Sequence, residues 1–479
     1  MHSKKTEVSN ELQRNMKSRH LFMISIGGVI GTGLFLNSGH IINEAGPGGA
    51  ILAYLVVGFL MYLVMLCLGE LTVSMPVTGS FQAYATKYIG PGTGFTVGWM
   101  YWLNWAVTVS VEFTASGLLM QRWFPDIPVW VWCAIFGTSL FIINSLSTRS
   151  FAETEFWFSS IKIVTILLFI IIGAGIIFGF LDTHGAKNSV QSVSTIMNNG
   201  GLFPNGFSSV FFAMIGVVFS FQGTELIGIA AGESENPHRE IPRAIKNTVW
   251  RTVFFYVISM LILVSLVSWQ KAGSVDSPFV YVFDNVGIPY AADVMNFVIL
   301  TAVLSVANSG LYASTRMLWA MSREGFAGKS FSKLSQKGVP LRALSVTFLV
   351  ACLSLLTSFI AANTVFLILV SIAGLAGITV WMLTALSQLN FRKAYIAEGN
   401  DINQLNFRTP LYPIVPITCF VLCLVVIVSM AFVDSLRAAL YFGLPFAIGC
   451  YAYYYLRIHK KIDIDKEKDT IILKRSSGE

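Results

Sequence analysis

The chain has 479 residues, of which 54% are hydrophobic and only 12% charged, about half the roughly 25% charged fraction usual in soluble domains. That excludes an ordinary soluble enzyme, and apolar runs of about 20 residues favour one polytopic membrane domain over several soluble ones. The net charge of +7 is spread over short loops and is not gathered on one face, so no nucleic-acid partner is expected.

Stretches without Asp, Glu, Lys or Arg run through 21–43, 45–69, 88–111, 127–148, 163–181, 252–270, 409–433 and 438–456. Each is long enough to cross a bilayer. The interval from Ala343 to Phe391 is charge-free over 49 residues, which as one helix would reach roughly 73 Å against a hydrocarbon core of about 30 Å. It therefore holds two spans, turning near Ala361, Ala362 and Asn363. Adding 206–231, with Glu225, and 289–315, with Asp293, the reading is twelve spans. An even number puts both termini on one side. On that side lie 27 of the 32 Lys and Arg residues, so the positive-inside rule predicts cytoplasmic termini.

The first span opens Ile24-Ser25-Ile26-Gly27-Gly28-Val29-Ile30-Gly31-Thr32-Gly33. Four glycines in seven residues suit either close helix packing through Gly27 and Gly31 or an unwound stretch whose N–H groups face a ligand carboxylate. The sixth span carries a second interruption, Phe219-Ser220-Phe221-Gln222-Gly223-Thr224-Glu225. Two broken spans five helices apart are the spacing of an inverted five-plus-five repeat.

Besides Asp293, three charges fall within spans. Glu112 lies about halfway along the third, Lys162 near the start of the fifth, and Glu225 beyond the break in the sixth. An intramembrane charge is costly and is read as functional by default. Each has a plainer reading: a structural hydrogen bond for Glu112, snorkelling to the interface for Lys162, and a partner for helix-end N–H groups for Glu225. Glu233, Glu235, Arg239 and Arg243 read as cytoplasmic-loop charges that pair in a gate or a fold-stabilising network and do not touch substrate, and Asp293 and Asn296 have no assigned role. The six cysteines fall within spans as small hydrophobes, and the six histidines lack metal-ligand spacing. No metal or other cofactor is expected, nor is a nucleotide-driven pump, since no Walker A sequence occurs. A membrane-bound enzyme would need a nucleophile-base cluster, and none is found. The polar first twenty residues lack a signal-peptide core, so the first span is expected to be retained.

Several stretches together carry a resemblance: Gly27 to Gly33, Glu44-Ala45-Gly46-Pro47-Gly48-Gly49, Leu68-Gly69-Glu70 with Pro76, Gln222 to Glu225, Ala231 to Pro237, and Ile241-Pro242-Arg243-Ala244. Over nearly its whole length the chain resembles bacterial amino-acid permeases of the amino acid/polyamine/organocation superfamily. Met120 to Pro125 and Leu304 to Tyr312 look most like lysine and arginine/ornithine permeases. The resemblance implies an all-α integral membrane fold of twelve transmembrane helices: a LeuT-like inverted repeat with helices 1 and 6 broken, plus two extra C-terminal helices. The expected parts are an N-tail (1–20), two five-helix repeats (21–181 and 206–391), helices 11 and 12 (409–456) and a C-tail (457–479).

It also implies proton-coupled import of a basic amino acid through the bacterial cytoplasmic membrane. The implied substrate set is Ile26, Gly28, Ile30, Gly31, Thr32 and Gly33 for the α-carboxylate. Phe219, Ser220, Phe221, Gln222 and Thr224 serve the α-amino group and an aromatic gate, with Val109 and Glu112 beside the side chain. Lys162, with Ser305 and Ser309, stands where sodium-coupled relatives hold a cation, and Glu225 is a proton-sensitive gate element. The implied partners are the substrate, protons and lipid; a neutral amino acid, histidine or 4-aminobutyrate as substrate, an amino acid/amine exchange or a regulatory membrane sensor is left open.

Overall fold

The computed structural model describes residues 23, 27–181, 196–197, 199–234, 236–285 and 289–459. It is all helical, with no strand element among these residues. In order the helices are α1 (Thr32–Phe35), α2 (Asn37–Ser74), α3 (Ser80–Tyr88), α4 (Pro91–Met120), α5 (Val129–Leu146), α6 (Thr148–Ile177), α7 (Ser208–Phe221) and α8 (Leu226–Ala230). There follow α9 (Pro237–Leu266), α10 (Trp269–Ala272), α11 (Pro278–Asn285), α12 (Ala291–Arg323), α13 (Leu341–Ala351), α14 (Ala362–Ala397), α15 (Ile414–Ser429) and α16 (Asp434–Tyr453).

Eight helical stretches among the described residues are long and apolar enough to cross a membrane. The 30-residue α4 is not one of them, although at about 45 Å it is long enough. Its Asn104, Ser110, Glu112 and Ser116 are buried inside the protein and lower its hydropathy without meeting lipid. Helix α2 has 38 residues, about 57 Å and too long for one crossing. Gly46 at φ 75 breaks it, with Pro47 next, so it is two helices meeting at an angle. The long charge-free interval likewise divides: Ala361 caps the start of α14 after a 3₁₀ stretch ends at Ser358.

Helices α12 and α14 pack along α4, while α7 and α9 pack on α2. The buried core is continuous through these helices. Large apolar side chains such as Phe59, Trp157, Ile171, Phe254, Leu349 and Ile448 point outward instead. A polar interior under an apolar exterior is what a hydrocarbon solvent demands.

Candidate functional site

Helical geometry is lost at Gly28 to Gly31 and resumes at Thr32. In the sixth expected span it is lost again where α7 ends at Phe221. Gln222 is extended and Gly223 stands at φ +104 before α8 begins at Leu226. The two interruptions lie against each other. Tyr256 Oη on α9 is within hydrogen-bonding distance of both the Val29 carbonyl, at 2.9 Å, and the Ser220 carbonyl, at 3.0 Å. Ser220 Oγ donates to the Gly33 carbonyl at 2.7 Å. Glycine is required at the contacts: a β-carbon on Gly33 would lie 2.9 Å from Ser220 Oγ and nearer to its Cα.

Around the second break, Gln222 Nε2 donates to the Ala373 carbonyl of α14 at 3.1 Å, and Thr224 Oγ1 donates to the Phe221 carbonyl. Gln222 Oε1 is buried without a hydrogen-bond partner among the described residues. Phe219 and Phe221 are buried, Phe221 packing its ring on Tyr54 and Tyr256. Glu225 Oε2 accepts from the Gly223 N–H at 3.0 Å, a bond within the break and not to the first turn of α8.

Glu112 lies beside the first break. It is buried in α4 and accepts a short hydrogen bond from Thr32 Oγ1, and a β-carbon on Gly31 would lie 3.5 Å from its Oε1. One turn away Val109 packs at Gly310 of α12. Ile30 and Thr32 are fully buried, while Ile26 lies outside the described residues.

Lys162 does not snorkel: it is fully buried, and its Nζ donates to the Gly27 carbonyl at the mouth of the first break. Ser305 Oγ donates at 2.5 Å to Glu155 Oε1, a carboxylate that the sequence reading did not single out. Asn308 Nδ2 reaches Glu155 Oε2 at 3.4 Å, and Asn308 Oδ1 accepts from Asn144 Nδ2 of α5 at 2.7 Å. Ser309 is buried next to Asn308 on α12. Glu155, Ser159 and Lys162 follow at i, i+4 and i+7, so one helix face carries all three. That spacing was the available signal for Glu155.

In the loop network, Glu233 finds its partners on α12. Glu233 is buried, accepts from Arg316 Nε at 2.8 Å and from Tyr312 Oη at 2.7 Å, both of α12, while Arg239 and Arg243 are exposed. Glu235 lies outside the described residues. At the opposite end Arg122 donates to Asp284 at 2.8 Å and to Asp293 at 2.7 Å, and Asn296 Nδ2 donates to the Leu119 carbonyl. The hydrogen bond to Asp284 raises the Arg122 guanidinium further above its ordinary value. A cavity of about 390 Å³ opens there, lined by Arg122, Asp276, Asp284 and Asn296. A second of about 160 Å³ reaches Leu36 and Asn37 just past α1. Burial raises the Asp276 carboxyl above its usual range.

An all-helical bundle, apolar outside, with two broken helices stitched together among buried charges, is a multi-pass membrane protein of the transporter class. The chain belongs to the amino-acid permease family: residues 20–467 match its Amino acid permease model. It is 58% identical over 460 residues to a putative histidine permease of Bacillus subtilis (strain 168), covering 96% of each chain. To the amino-acid permease RocC of the same organism it is 56% identical, covering 95% of this chain and 96% of that one. The lysine-specific permease LysP of Escherichia coli (strain K12) is 45% identical, with 92% and 93% covered. Its relatives are thus transporters and not enzymes.

Proposed function

We propose that this protein imports a basic amino acid, such as lysine, arginine or ornithine, together with protons across the bacterial cytoplasmic membrane by alternating access. The architecture proposed for it has twelve spans. Two five-helix repeats (21–181 and 206–391) are related by inversion, with helices 11 and 12 (409–456) appended and both tails (1–20 and 457–479) cytoplasmic. The cation tally between loops supports that orientation.

The observation that carries the reading is the meeting of the two breaks inside a ring of buried charge. A broken helix offers N–H donors at one end and carbonyl acceptors at the other. In this reading Gly28 to Gly33 take the α-carboxylate, and the Phe219 to Gln222 segment, with Thr224 and the unpartnered Gln222 Oε1, takes the α-amino group. Three buried carboxylates, Glu112, Glu155 and Glu225, stand against one ammonium, Lys162. Fully ionised, that set is two positive charges short, which a cationic substrate side chain and protons supply.

The 58% identity to a putative histidine permease favours a second reading, in which the substrate is histidine. Purified protein in proteoliposomes, loaded for radiolabelled uptake and challenged with a panel of amino acids, decides between them. Lysine, arginine or ornithine should compete best. Better competition by histidine, alanine, phenylalanine or 4-aminobutyrate refutes the basic-substrate reading and leaves the permease intact.

A further inference from the structure

The carboxylate that the expected site did not include occupies the most connected position in it. Three side chains of one α6 face close on the start of the first break. Lys162 Nζ holds the Gly27 carbonyl, Ser159 Oγ donates to the Met23 carbonyl at 3.0 Å, and Glu155 Oε1 with Ser159 Oγ fills the space a Gly27 β-carbon would need. Glu155 alone of the three also reaches across to α12, taking Ser305 Oγ at 2.5 Å and Asn308 Nδ2 at 3.4 Å. Through Asn308 the chain of polar contacts continues to Asn144 on α5. All of these side chains are buried.

We propose that Glu155 is a positioning residue for transport: it bolts α6 to α12 through Ser305 and Asn308 while serving as the counter-charge that keeps Lys162 on the Gly27 carbonyl. This rests on the proton-coupled reading given above. Glu155 shares one face of α6 with Lys162, two turns before it, and Glu112 of α4 lies across the first break at Thr32 and Gly31. From α12 and α5 the neighbours are neutral hydroxyls and amides, and from α9 the Tyr256 phenol holds the adjacent Val29 carbonyl. Glu112 is engaged by Thr32, so its position follows α1, whereas Glu155 is fixed to α12.

The chemical consequence follows from the donor count. A carboxylate accepts from Ser305 at Oε1 and from Asn308 at Oε2, but once protonated one of those oxygens carries a donor of its own and accepts poorly. Loss of the proton from Lys162 leaves the buried Glu155 anion without its nearest counter-charge, which favours proton uptake by Glu155 and so loosens the α12 contact. The release of Gly27 and the release of α12 are thereby tied to one event. A helix break that must move relative to its scaffold during transport needs such a link.

The test is gradient-driven uptake of radiolabelled L-lysine or L-arginine by proteoliposomes, measured against pH and normalised to each variant's own maximum. Glu155→Gln keeps an acceptor for Ser305 but removes the charge, so its pH midpoint should fall by about one unit or more, the effect expected of one nearby opposite charge. Ser305→Ala keeps the charge and removes one donor to it, so its maximal rate should fall while its midpoint moves less than that of Glu155→Gln. A Glu155→Gln midpoint equal to wild type, or equal shifts in both variants, overturns the proposal. Should Glu155→Gln fail to fold, Glu155→Asp and Glu155→Asn, equal in size and different in charge, must differ by the same shift. Wild-type uptake that ignores the pH gradient overturns the proton-coupled reading and this inference with it; gradient-driven wild-type uptake with an unshifted Gln variant overturns only the inference.

Discussion

Gly223 and Gly28 meet backbone to backbone. Gly223 sits at φ +104, and a β-carbon built on it would lie 2.5 Å from the Gly28 carbonyl carbon and closer still to its oxygen. The two broken helices are therefore one structural unit, and the absence of side chains at this contact is a condition of their meeting.

Gly223→Ala should for that reason separate the breaks, since alanine is both strained at this φ and in collision with Gly28. Gly31→Val meets Val306 Cγ2 at 2.5 Å from its first added carbon and should act alike. Both variants are expected to lose substrate binding, read by radioligand binding in detergent, while still eluting as a single species on gel filtration. Near-normal affinity in a well-folded Gly31→Val protein contradicts the assignment of the carboxylate to this break.

Lys162→Ala should abolish accumulation driven by a pH gradient, because the Gly27 carbonyl then has no ammonium to release. Counterflow of substrate at uniform pH should remain measurable, since binding and rocking need no net proton movement. Replacing sodium by choline should leave wild-type uptake unchanged. Sodium-dependent uptake would contradict the proton-coupled reading.

Glu112→Gln keeps an oxygen to accept from Thr32 and removes one charge beside the first break. At an effective dielectric of about 20, two unit charges 4 Å apart attract by about 4 kcal/mol before desolvation. A residual loss of about 1.4 to 3 kcal/mol would weaken a basic substrate roughly 10- to 150-fold, and a neutral competitor should lose less. Equal losses for both kinds of ligand would show that Glu112 serves Thr32 alone.

Arg316→Met leaves Glu233 buried with Tyr312 as its remaining described donor. Breaking a buried pair costs about 3–5 kcal/mol, so the variant should melt well below wild type in a thermal-shift assay. Replacing both partners by apolar residues should recover much of the loss. If the double variant melts no higher than the single one, the ion pair itself is required.

Arg122 is held more firmly protonated by Asp284, so its charge does not change at any working pH. The fork that it forms with Asp284 and Asp293 is then insensitive to acidification from the arginine side. Arg122→Gln should alter the uptake rate without moving the pH midpoint. A shifted midpoint would place part of the proton response at this cavity.

How much of this was legible in the sequence depends on whether the cause is local. The hydropathy runs, the Gly46-Pro47 corner, the division of the long apolar interval near Ala361 and both helix breaks arise from residues within a turn or two of each other. Glycine density and charge spacing mark such features directly. The family likeness was also legible, because its motifs are short and contiguous.

Partnership between helices was not legible, because it depends on which faces the bundle brings together. Lys162 stood out as a lone cation, yet only packing decides that it is buried against Gly27 when a few residues' difference in depth would let it snorkel. Glu155, in a segment that also holds Glu153, looks like loop-edge charge until α12 places Ser305, 150 positions later, on it. Glu233 had nearby arginines at 239 and 243 in the chain, but they are exposed, and burial selects Arg316, 83 positions away, instead. Local periodicity told where each helix begins and breaks. The need to give every charge taken out of water a hydrogen-bonding or charged partner decided which residues meet, and those partners come together only in the assembled bundle.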